Sequence, residues 1–124
     1  MNYYIGNFHE DREKEPERKD WLVGQFMDGQ RRTDKMSIKF WHFTKGPTGH
    51  KSKYQTIATE CTIVTKGKLR AEIGSEKFEF AAGQYVVIPP MVPSNLAIEA
   101  LEDSEGITIK APSCDPDDTV KPAR

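Results

Sequence analysis

The chain has 124 residues, of which 36% are hydrophobic and 30% charged, with a formal net charge of −1. That is the size of one domain, able to bury about two thirds of its unfolded surface around a small core. The charge is spread unevenly: eight acidic and six basic side chains in residues 1–34, four and nine in 35–98, seven and three in 99–124. A mildly basic centre between acidic ends excludes the concentrated basic face of a nucleic-acid binder.

Two cysteines, Cys61 and Cys114, are too few for a disulfide framework or a thiolate zinc site. The start, Met1-Asn2-Tyr3-Tyr4-Ile5-Gly6, lacks the basic and apolar regions of a signal peptide, and no apolar run approaches the ~20 residues that span a bilayer. A cytoplasmic protein with neither a membrane nor a nucleic-acid partner is expected.

Residues 9–20 carry almost no apolar surface, and Pro16 interrupts any helix among them. They read as an exposed arm or short helical turn. Trp21 to Met27 reads as a first strand, closing an N-terminal section of 1–34. In the next strand, Met36 to Phe43, the even positions set Met36, Ile38, Phe40 and His42 on one face. The glycines and proline between Lys45 and Lys53 make a loop, and a β-rich run follows from Tyr54 to Val64. Further strands are expected at Leu69–Ile73, Phe78–Phe80, Tyr85–Ile88, Leu96–Leu101 and Ile107–Lys110, with Gly74 to Lys77 as a hairpin connection and Pro89-Pro90 as a stop. Residues 35–111 thus form a barrel core and 112–124 a flexible tail or an arm laid on a partner. Several short strands with almost no helical periodicity argue for an antiparallel sandwich or barrel.

Four residues narrow the choice. Glu60 precedes Gly67 by six intervening residues, and Gly83 precedes Pro89 by five. This pattern resembles the two signature motifs of the cupins, across about residues 36–111. The resemblance implies an all-β fold, a double-stranded β-helix (jelly-roll) barrel in one small domain. It also implies a homodimer, and an unpaired strand edge is a liability that pairing removes.

In the family a metal is usually held by three histidines and the glutamate, and this chain departs from that pattern. The His-x-His slots fall on Tyr54 and Thr56 with a three-residue spacer before Glu60, or on Lys53 and Gln55 with four. Met91 stands where the second motif has its second glycine, and Ser94 where it has its histidine. One carboxylate without imidazoles holds a first-row divalent metal weakly, so no metal cofactor is expected.

The candidate catalytic residues are Glu60, His42, Tyr54 and Tyr85. A desolvated Glu60 would serve as general acid or base, and His42 either lies in the core or points into the barrel beside it. A His–carboxylate pair is the arrangement that metal-free sugar-modifying cupins use for proton transfer. His50, Lys51 and Lys53 sit in or beside a loop that in cupins lies near the pocket mouth, where cations would gather an anion. Thr56, Ser94 and Trp41 complete the candidate ligand-binding set.

The expected function is metal-independent binding of a small anionic sugar-, nucleotide- or carbonyl-type metabolite, with isomerase, epimerase, dehydratase or cyclase chemistry by proton transfer. Two alternatives stay open: a non-catalytic ligand-binding or structural cupin, and a metal-dependent one whose ligands are rearranged onto His42, His50 and Glu60.

Overall fold

Glycines set the tight corners of the chain. Gly74, at a φ of +59°, leads a two-residue connection between Lys68–Ile73 (β6) and Glu76–Ala81 (β7), which pair from Ile73↔Glu76 to Lys68↔Ala81. Gly67, at a φ of +86°, turns Thr59–Lys66 (β5) into β6, and a Cβ there would collide with Ser104 and the Asp103 carbonyl. Only glycine meets both demands without strain. The computed structural model describes residues 3–113 and 119–123.

The remaining strands are Trp21–Val23 (β1), Ser37–Phe43 (β2), Gly46–Pro47 (β3), Lys53–Gln55 (β4), Tyr85–Ile88 (β8), Ser94–Ala100 (β9), Ser104–Ala111 (β10) and Val120–Pro122 (β11). They form two antiparallel sheets, ordered β1-β2-β10-β5-β8 and β11-β4-β9-β6-β7, with β3 also on β9. Trp41, Val64, Leu69, Ala71, Phe80, Ala97 and Ala100 are buried together between the sheets. Trp41, Leu69 and Ala97 of that cluster also line the cavity described below. Among the described residues no helix is long and apolar enough to cross a membrane.

Four expectations are corrected. The first strand stops at Val23 because the chain turns at once, Met27 N–H donating to the Gly24 carbonyl at 3.1 Å. The run from Tyr54 to Val64 is two strands in opposite sheets, β4 and β5, separated by a bend around the buried Ala58. The tail is not free at Val120–Pro122, which pair with β4 from Val120↔Gln55 to Pro122↔Lys53. Residues 114–118, Cys114 among them, lie outside the described residues.

The fourth correction concerns the exposure of the charged arm; the short helical turn expected there is present. Residues Phe8–Lys14 form a helix (α1), capped by the Asn7 side chain accepting from His9 and Glu10 N–H. Phe8 stacks on Phe40 with ring centroids 4.0 Å apart, and Arg12 donates to the Phe40 carbonyl at 3.1 Å and Asp20 at 3.0 Å. Arg31 reaches Glu15 at 2.9 Å and Asp11 at 3.5 Å. The arm is therefore a cover on the outer face of β2, and the Arg31 hydrogen bond holds the Glu15 carboxyl below its ordinary range.

Candidate functional site

Cross-strand register arranges the inner face of the first sheet into rows. In the deepest, Gly106 lies between Trp41 and Val64. A Cβ on Gly106 would run into the Trp41 ring and the Ile63 carbonyl, so glycine lets the indole lie over β10 and floor the barrel. The next row is Trp21, Lys39, Thr108 and Thr62. The outermost is Ser37, Lys110, Glu60 and Ile88. From the facing side come Lys53 and Gln55 of β4, Ser94 to Ala97 of β9, Val120 of β11, and His50 and Lys51 of the preceding loop. Apart from the buried Gly106, Val64 and Ser37, these residues line an open cavity of about 230 Å³, the scale of a small metabolite.

Glu60 is the sole acid among its lining residues, against Lys39, Lys51, Lys53 and Lys110. The Thr62 hydroxyl donates to Glu60 Oε2 at 2.9 Å, which leaves Thr108 the donor in the 2.8 Å bond between the two threonines. The pair of hydroxyls fixes one carboxylate oxygen. The other takes no protein hydrogen bond among the described residues.

The Lys39 and Lys110 ammonium groups lie 5.1 and 5.6 Å from the centre of the Trp21 ring, within cation–π range. Neither makes an ion pair among the described residues. Burial pushes the Lys110 amine down to about 8; Glu60 opposes this, and Lys53 and Lys39 reinforce it. Burial lowers Lys39 too, helped by Lys53 and opposed by Asp20 and Glu60. His50, its ring edge-on to Phe43 at 5.2 Å, is lowered by desolvation and then by Lys53 and Lys39. The site is thus a cluster of cations partly stripped of water, facing one carboxylate.

Of the residues singled out from sequence, Glu60, Trp41, His50, Lys51, Lys53 and Ser94 line the cavity. The other four do not. His42 points outward, its Nδ1 2.9 Å from the Asp20 carboxylate. Tyr85 is 68% exposed on edge strand β8. Tyr54 alternates with Lys53 and Gln55 and faces away, opposite Lys121. Thr56 is tied to the returning tail, its N–H and hydroxyl both donating to the Thr119 carbonyl, at 2.7 and 3.0 Å.

Sequence reading missed Trp21, Lys39, Gln55, Thr62, Thr108 and Lys110. Lys39 sits on the odd face of β2, the inner one, whereas the apolar even face looked inward. Gln55 was legible only under the four-residue spacer, which the β4 register selects. Lys110 and Thr108 alternate with Ile107 and Ile109, and the isoleucines drew attention from them.

With that spacer, the positions where the family's metal ligands would stand are Lys53, Gln55, Glu60 and Ser94. An ammonium, an amide and a hydroxyl are poor company for a divalent cation, and Lys39 and Lys110 repel one. Among the described residues no group of three or more His, Cys, Asp or Glu side chains could hold a metal ion. The donor set does not fit the family's metal. The second motif keeps its backbone nonetheless: Met91, in the glycine slot, holds a φ of +73°, and its N–H donates to the Gln55 carbonyl at 2.7 Å.

No protein-family model and no curated protein sequence matches the chain. Solved structures do. Pac13, a nucleoside dehydratase, is similar with a TM-score of 0.61 at 13% identity, over 74% of this chain and 71% of its own. A Streptomyces Pac13 variant with uridine gives 0.69 at 13% identity, over 100% and 93%. A double-stranded β-helix protein from Klebsiella pneumoniae gives 0.57 at 18%, over 65% and 70%. A Bacteroides fragilis cupin gives 0.57 at 18%, over 66% and 69%. The fold expected from Glu60, Gly67, Gly83 and Pro89 is therefore the one the chain has, the double-stranded β-helix barrel of the cupins.

Proposed function

We propose that the barrel cavity binds a small anionic metabolite and moves a proton on it, with Glu60 as the acid–base group and the lysines as the anion's counter-charges. The observation that carries this reading is the set of four lysines around one carboxylate in a cavity of about 230 Å³. Uncompensated cations in a low-dielectric mouth attract an anion and strengthen their hold as water leaves. The same amines would stabilise negative charge that develops when Glu60 removes a proton next to a carbonyl. Thr62 and Thr108 keep the carboxylate oriented for that transfer. The Pac13 structures are of a nucleoside dehydratase and of a variant with uridine, which supports small-molecule chemistry in a barrel of this kind.

Uridine 5′-monophosphate and inorganic phosphate are suitable first probes, followed by calorimetry and by amide shifts in NMR spectra. Binding is expected to perturb β2, β5 and β10. Lys39→Met is expected to weaken it by about ten-fold or more, the effect of losing one charge-assisted hydrogen bond. Glu60→Gln is expected to keep binding and to abolish deuterium uptake from heavy water into carbonyl ligands that bind. Amide shifts confined to the outer surface, or affinity untouched by Lys39→Met, would sink the proposal.

A further inference from the structure

Among the cavity's cations, Lys110 alone faces a carboxylate directly across a strand pair: the register sets it opposite Glu60, with β-carbons about 5 Å apart in such pairs. Yet the two side chains form no ion pair within 4 Å, and no other carboxylate among the described residues engages its Nζ. An ammonium locked in a salt bridge keeps its proton and is no nucleophile. Lys110 instead lies 5.6 Å from the centre of the Trp21 ring, a contact that favours its charged form, with Lys39 over the same ring, while burial, Lys53 and Lys39 disfavour that charge. A lysine desolvated beside other cations is the setting in which an amine becomes reactive.

We infer that the cavity condenses an anionic carbonyl compound onto Lys110. The neutral Nζ adds to an aldehyde or ketone carbon, giving a carbinolamine. Glu60 takes a proton from the nitrogen and returns one to the hydroxyl, and the carbonyl oxygen leaves as water. The product is an imine linking the ligand to β10, with no net oxidation or reduction. Lys39 and Lys53 hold the ligand's phosphate or carboxylate, so the substrate class is a small aldehyde or oxo acid carrying an anionic group. The proposal rests on the anion-binding reading above and adds a covalent step to it. Burial supports it: an amine lowered from 10.5 to about 8 gains roughly a hundred-fold or more in neutral fraction at pH 7. Glu60, Lys39 and Lys53 are the charged groups of the packed elements that act on it.

Pyridoxal 5′-phosphate, an aldehyde bearing a phosphate, is the probe. Imines formed on the wild-type protein at pH 7 are reduced with borohydride, and every lysine is mapped by peptide mass spectrometry. The expected result is one label per chain on Lys110, at least about ten-fold above any other lysine and slowed by inorganic phosphate. Lys110→Arg keeps the charge and removes the nucleophile. It is expected to lose the label. Because the wild-type map needs no variant, misfolding of Lys110→Arg would not rescue the idea. Label on Lys39, or spread over exposed lysines while phosphate still binds, overturns the covalent step and leaves anion binding standing. Absence of both label and phosphate binding overturns the two together.

Discussion

Lys110→Met probes the electrostatics of the cavity most directly. Methionine keeps much of the apolar stem against Trp21 and deletes the charge. In the folded chain burial lowers this amine from 10.5 to about 8, a penalty of about 3 kcal/mol on its charged form. Losing the ammonium's contact with Trp21, at 5.6 Å, returns about 0.5–1 kcal/mol of that. The variant should therefore be more stable than wild type at pH 7 by about 2.5 kcal/mol. Between pH 8 and 10.5 the unfolded chain holds a proton that folded Lys110 has released. Wild-type stability consequently rises with pH across that window, by at most about 1.4 kcal/mol per unit, whereas below pH 8 the whole penalty is present. Urea unfolding at pH values from 7 to 10.5 measures both effects. The difference between the two proteins largely cancels the other lysines and the tyrosines, which titrate in each. The advantage of Lys110→Met should shrink steadily above pH 8. Equal stability at pH 7, or a difference that stays constant with pH, would refute this account of the cavity.

Met91→Gly should stabilise the fold. A non-glycine residue in the left-handed region costs about 1–2 kcal/mol, glycine gives back about 0.5–1 through unfolded-state entropy, and the exposed side chain loses little packing, so a gain of about 0.5–1 kcal/mol is expected in thermal unfolding. Gly106→Ala should do the reverse, costing about 2–3 kcal/mol or more as its methyl displaces Trp41, with a shift in tryptophan emission as the local signature. Arg31→Ala strips Glu15 and Asp11 of their partner and should release α1 from β2, read as new proteolytic cleavage within residues 8–20 and a lower urea midpoint. Because Arg31 lowers the Glu15 carboxyl, that docking is complete at neutral pH and weakens as pH falls through the ordinary carboxylate range. In wild type the segment should thus become more cleavable by pepsin below about pH 4, and in Arg31→Ala this pH dependence should be reduced.

The barrel was readable because its corners depend on local chemistry. Gly67 must take a positive φ where Ser104 and the Asp103 carbonyl crowd it, and Pro89 ends β8 because it cannot extend the ladder. Such demands act on single residues and survive even where the ligand positions have changed, as Met91 shows by keeping a glycine's φ. The break inside Tyr54 to Val64 was hidden for the opposite reason. Nothing in those residues forbids a continuous strand; the split between β4 and β5 comes from their joining different sheets.

Half the site escaped sequence reading through one physical inversion. Alternation shows which residues share a face of a strand, and the choice of inner face then rests on the premise that apolar faces point in. In this barrel the premise fails at the mouth. The inward rows are Lys39–Thr108–Thr62 and Lys110–Glu60, while Ile38, Phe40, Ile107 and Ile109 look outward. A sheet can carry polar residues inward where a cavity gives them water or a ligand in place of a core. It can carry apolar residues outward where something covers them, and Phe8 and Arg12 of the arm do so at Phe40. Reading the arm as solvated charge and reading His42 as an inward residue were therefore one error. The N-terminal cover makes the outer face of β2 look like a core, and the cations it displaces from attention, Lys39 and Lys110, are the ones that give the cavity its chemistry.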